Sequence, residues 1–163
     1  MAVQLEARRR RLAAARDKAI RAYDQAMDKV RVLQMNKNWR NAYKTLSYYV
    51  GRFEKDLPED LMLTLCGECL RLGIKSEANL QELSIWLRKG VASCQRQGTP
   101  ESIEDALDFI DAYQEELISS DPANRGRKLV GSVLGTLEES VRIYNLSSQY
   151  DSMVSGVSVG GVS

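Results

Sequence analysis

The stretch TPESIEDALDFIDAYQEEL, residues 99–117, decides the fold class. Thr99 can cap a helix, Pro100 falls in the first turn where its missing donor is harmless, and Glu101 faces the positive end of the helix dipole. Ile103, Leu107, Ile110, Tyr113 and Leu117 then recur at gaps of three or four, which is the period of an amphipathic helix. Glu104, Asp108, Asp111 and Glu115 point the other way, so the outward face of this helix is anionic.

The same grammar runs upstream. Ser76 caps a preceding helix whose face is Leu80, Leu83, Leu87, Val91 and Cys94, flanked by Trp86 and ended by Gly98. Before it, Asp56-Leu57-Pro58-Glu59-Asp60 starts a helix that Leu61, Leu65, Cys69 and Leu72 carry to a stop at Gly73. Asn36-Lys37-Asn38 supplies a turn ahead of Trp39, Ala42, Tyr43, Leu46, Val50 and Phe53, with Gly51 expected to admit a neighbouring backbone. Residues 3–35 form one long first helix, with Leu5, Leu12, Ala19, Tyr23, Met27, Val30 and Leu33 as a stripe on a charged rod.

Downstream, Asp121-Pro122-Ala123-Asn124 breaks the chain, and Val130, Val133, Leu134, Leu137, Val141 and Tyr144 trace a sixth helix. The composition then turns to Ser, Gly and Val, with no charge after Asp151. That composition suits a flexible tail, and its Val–Ser alternation also suits a strand added to a neighbour or a segment packed between subunits. The expectation is an all-α chain of five or six amphipathic helices, in an antiparallel bundle or a short helical-hairpin array. Residues 1–22 read as a basic helical extension, 23–146 as the helical domain and 147–163 as the tail.

At 163 residues and 44% hydrophobic, such a chain buries roughly two-thirds of its unfolded surface without a disulfide or metal staple. No apolar run approaches the ~20 residues of a membrane span, and no secretory signal opens the sequence, so a soluble protein is expected. Three Cys, an odd number, fit the cytoplasm or another reducing compartment. The Arg-rich, acid-poor first 23 residues also resemble an organellar transit peptide in composition, although the helical pattern runs past Tyr23 without a break.

Near-neutrality hides an asymmetry. Residues 1–57 carry 14 Lys/Arg against 6 Asp/Glu, residues 58–98 carry 5 against 5, and residues 99–163 carry 4 against 11. Each end therefore presents a field that steers a surface of opposite sign, including that of a second copy.

Catalytic patterns are scarce. With no His, the commonest general base at neutral pH is missing, and no Gly-rich phosphate loop or nucleophile elbow occurs. Cys66 and Cys69 share a helix face, but with Cys94 they give three ligands where zinc takes four. Cys66 also lies inside a leucine-rich helix instead of at an N-terminus, so the thiols read as core. The acidic pairs Glu101/Asp105, Glu104/Asp108 and Asp108/Asp111 lack the glycine-bearing loop that wraps calcium, and read as a solvated face. Their mutual repulsion calls for cationic relief from the first helix or another subunit. No cofactor is implied.

Two stretches resemble the flagellin export chaperones, small helical bundles that clamp an unfolded helical partner. Tyr23-Asp24-Gln25-Ala26 is similar to that family's Tyr-Asp-Gly-Ala, and Asn79-Leu80-Gln81-Glu82-Leu83 with Trp86-Leu87 is similar to its Asn-Leu-x-x-Leu with a later Tyr-Met. Gln25 replaces the family's Gly, Ser84 replaces its Tyr, and the third helix, basic front and tail have no counterpart. The resemblance spans residues 20–117 at most and implies a chaperone for a helical client.

The reading reached from the residues is a non-catalytic interaction protein, a structural or adaptor subunit of a larger assembly. Its expected docking residues are Arg8, Arg9, Arg10, Arg11 and Arg16, with Glu104, Asp108, Asp111 and Glu115 as the acidic counterpart. The partners expected are proteins or other copies of the chain. Phosphate-directed nucleic-acid binding through the Arg tract is the alternative outside protein partners, and the basic stretch has no bulky apolar face to insert into a membrane.

Overall fold

The computed structural model describes residues 2–119 and 123–162, with side chains to Val157. Every regular element among them is helical: α1 (Ala2–Met35), α2 (Trp39–Phe53), a 3-10 turn (Glu54–Asp56), α3 (Glu59–Lys75), α4 (Leu80–Gln97), α5 (Pro100–Ser119), α6 (Arg125–Gly135), α7 (Glu138–Ile143) and α8 (Ser147–Val162). Local chemistry fixes most of the boundaries. The Asn38 side chain accepts from the Asn41 amide at 3.4 Å to start α2. Thr99 and Ser102 cap each other at the start of α5, with both amide-to-hydroxyl distances at 3.0 Å. The Ser102 hydroxyl also donates to the Cys94 carbonyl at 2.8 Å, which ties the start of α5 to the end of α4.

Short turns lay α2 antiparallel to α1, α4 to α3 and α5 to α4. The Tyr49 hydroxyl on α2 donates to the Ala19 carbonyl on α1 at 2.7 Å, and Trp86 Nε1 on α4 donates to the Tyr43 hydroxyl on α2 at 3.0 Å. Buried aromatics therefore find partners for their polar ends across helices. Close approaches are set by glycines. A Cβ on Gly90 of α4 would lie 2.6 Å from the Phe109 ring of α5, and one on Gly126 of α6 would lie 2.0 Å from the Leu117 carbonyl. From α1 to α6 each helix packs mainly on its sequence neighbours, with further contacts of α3 with α5 and α4 with α6, while α8 packs mainly on α6. Leu46, Leu65, Leu87, Leu107 and Leu134 are fully buried in one continuous core.

Several expectations need correction. Asn79, not Ser76, caps α4, accepting from the Glu82 amide at 2.9 Å, while the Ser76 hydroxyl donates back to Gly73. Gly73 does not end α3; it sits inside the helix against Leu83 and Tyr43, and the chain turns at Glu77 with φ 60°. Gly51 has open space where its Cβ would be, so no backbone approaches it. Tyr49 belongs to the buried face of α2. The expected sixth helix is two, α6 and α7, broken at Thr136–Leu137, and the helix count is eight among the described residues.

The largest correction concerns the tail. Residues Ser147–Val162 are helical, and Tyr150, Met153, Val154 and Val157 return at three, four and seven to pack on the core. Arg127 of α6 donates to the Val157 carbonyl at 2.9 Å and fastens α8 at that point. The alternation that suggested a strand falls largely on residues 158–163, whose side chains, with all of Ser163, lie outside the described residues.

Candidate functional site

The long first helix is paired along only part of its length. α2 has 15 residues against the 34 of α1 and ends at Phe53, where the chain turns away through the 3-10 turn. From Ala19 onward α1 is packed: Ala19, Ala26 and Val30 are buried, and Tyr23, Met27 and Leu33 are half-buried. Residues 2–18 are exposed, apart from half-buried Ala15. Leu5 and Leu12, at the start of the apolar stripe on the turns expected to project or to pack on a partner, are 55% and 58% exposed. The overhang of 17 residues extends ~25 Å at 1.5 Å per residue.

Its two sides differ in charge. Leu12 and Leu5 lie seven and fourteen residues before buried Ala19, and Arg16, Arg11 and Arg8 lie three, eight and eleven before it. These intervals return to the same side of a helix, so the leucines and arginines continue the packed side of α1 into solvent. Arg9, four residues after Leu5 and seven before Arg16, flanks the same stripe. Arg10 falls on the opposite side, where it pairs with Glu6 at 3.1 Å. Among the described residues Arg8, Arg9, Arg11 and Arg16 make no ion pair.

The acidic counterpart is a face of α5. Glu104, Asp108, Asp111 and Glu115 are exposed as expected, joined by Glu101, Asp105 and Glu116, and α5 contains no Lys or Arg. Asp108 accepts from Gln149 of α8 at 2.7 Å and Asp111 from Gln114 at 2.8 Å, both uncharged donors. Two small exposed residues lie on the same side seven apart, Ala112 within this face and Ser119 at the C-terminal end of α5. Among the described residues no ion pair joins α1 to α5. Within one chain, the basic surface does not relieve the acidic one.

The thiols are sealed in the core. Cys66, Cys69 and Cys94 are free and fully buried. Burial pushes the Cys66 thiol up to about 12 and the Cys94 thiol up to about 11, and raises that of Cys69 as well. A thiol held protonated is a poor nucleophile and a poor ligand. The most charged depression, about 270 Å³, lies between Glu54, Lys55, Leu57, Glu59, Met62 and Arg96. Three of its four charged residues are engaged: Arg96 grips Glu59 with two hydrogen bonds at 2.8 and 3.0 Å, and Lys89 holds Glu54.

The residues behind the chaperone resemblance divide between core and surface, with Asp24, Gln25, Asn79, Gln81 and Glu82 exposed. Leu83, Trp86 and Leu87 are buried, and Tyr23 packs on Tyr49 with ring centroids 6.0 Å apart. No protein-family model, curated protein or solved structure matches the chain. No helix among the described residues is long and apolar enough to cross a membrane.

Proposed function

We propose that this protein is a non-catalytic helical interaction protein, a structural or adaptor subunit that joins a larger assembly through charge-complementary helix surfaces. The observation that carries this reading is the overhang of α1, where Leu5 and Leu12 stand in solvent between Arg8, Arg9, Arg11 and Arg16. A leucine stripe rimmed by unpaired guanidinium groups matches a helical protein surface with acidic rims, because apolar contact and charge pairing then act together. Nucleic acid would use the arginines but leave the leucines exposed.

The buried, unpaired thiols agree with a reducing compartment. The function is tested by the native mass of the full chain at low and at high salt, with absorbance at 260 nm read alongside. A salt-sensitive oligomer or protein complex supports docking by charge. A monomer under both conditions that carries nucleic acid contradicts it.

A further inference from the structure

We infer that the overhang of α1 docks antiparallel on the exposed face of α5 of a second copy of this chain. This rests on the proposed docking role of α1 and deepens it by naming the partner, the surface and the register. Three observations meet here. The overhang and α5 are similar in length, 17 and 20 residues. Leu5 and Leu12 are seven apart, as are the small exposed residues Ala112, within the acidic face, and Ser119, at the C-terminal end of α5. The charges are opposite, unpaired by each other within the chain, and set at helical spacing on both sides.

One register satisfies the spacing and the charge, setting residues 5–18 against 106–119. With Leu12 over Ala112 and Leu5 over Ser119 in antiparallel pairing, Arg16 falls opposite Asp108, Arg9 opposite Glu115 and Arg8 opposite Glu116. The leucines sit on small residues, which lets the helices approach, and the rims form ion pairs. Pairing two overhangs with each other would instead set arginine against arginine, since residues 2–18 carry six Lys/Arg against two Asp/Glu. The back of α1 is a weaker alternative, because there Glu6 and Asp28 are already paired with Arg10 and Arg31.

The two surfaces lie on different helices of one chain, so the contact can close on itself or run head to tail. A second copy either reciprocates, closing a dimer, or passes the contact to a third copy, giving a ring or filament.

The test uses two full-length variants altered only at exposed positions, with helix content checked by circular dichroism. One is Arg9→Glu with Arg16→Glu; the other is Asp108→Lys with Glu115→Lys. The wild type self-associates at low salt and dissociates near 1 M salt, where the Debye length is ~3 Å. Each variant alone loses self-association by about 100-fold or more, since like charges are brought together. Mixed in equal amounts, the two variants associate again, because every contact then pairs opposite charges. A wild type that stays monomeric at low salt overturns the self-docking. So does loss of association in the arginine variant alone with the acidic variant unaffected, although that result leaves α1 as a docking helix for another surface. A mixture that stays dissociated overturns the register.

Discussion

The two halves of α1 are made of one continuous helix but live under different physics. From Ala19 to Met35 the helix is held by packing: Val30 and Ala19 are fully buried, and the Ala19 carbonyl takes a second hydrogen bond from Tyr49. From Ala2 to Lys18, among the described residues, its own backbone is joined by the Arg10–Glu6 pair and half-buried Ala15. An isolated helix of this length is marginal in water, so the outer half depends on the inner half as its nucleus. On the function proposed above, stability and interaction are written on the same helix, one half each.

The sharpest break in that comparison is a buried charge. Val30→Asp places a carboxylate in a fully buried site and should cost at least ~3 kcal/mol, seen as a large fall in the urea midpoint. Leu12→Asp, at a 58% exposed site, should stay within about 0.5 kcal/mol in the dilute monomer. Equal losses at the two positions would mean that the outer half is packed after all.

Glycines sharpen the same division elsewhere. Gly126→Ala drives a Cβ to 2.0 Å from a backbone carbonyl that cannot move without shifting α5, and should cost about 1–3 kcal/mol by thermal melting. Gly51→Ala meets nothing within 4 Å inside a helix, and should gain about 0.5–1 kcal/mol. Opposite signs are expected from one chemical change. Tyr49→Phe removes the bond that anchors Ala19 and should cost ~1 kcal/mol while leaving self-association intact.

Alkaline pH probes the core alone. Cys66, Cys94 and Tyr49 have folded pKa values raised to about 12, 11 and 12, above ordinary values of 9.0 for the thiols and 10.0 for the phenol. Below the unfolded values both states hold the protons, and pH has no effect through these groups. Above about pH 9 the unfolded chain ionises first, so stability falls progressively toward pH 12. Denaturant midpoints read against pH should show this decline, and a thiol reagent should leave all three cysteines unmodified until the chain unfolds.

Much of this architecture was legible before any coordinates. The Thr99-Pro100 start of α5 and its alternation of core and acid are physically explicit, and the acidic residues are exposed where the spacing put them. Other features depend on what lies across the chain. Gly73 carries the same signature whether it ends a helix or admits Tyr43 and Leu83 to its middle, because the deciding contacts are long-range. In α8 the stripe Tyr150, Met153, Val154 and Val157 is helical, but surrounding Ser and Gly dilute it below notice. For α1 the apolar period continues through Leu5 and Leu12, and only the short reach of α2 decides where burial stops. The length mismatch between the two helices was the available signal.

Amide hydrogen exchange along α1, compared between dilute protein at high salt and concentrated protein at low salt, tests the central claim most directly. Residues 19–35 should be protected in both conditions. Residues 2–18 should exchange fast when dilute and become protected, together with the exposed turns of α5, when concentrated at low salt. Uniform protection of α1 in the dilute monomer, or an outer half that never becomes protected, would contradict a docking helix.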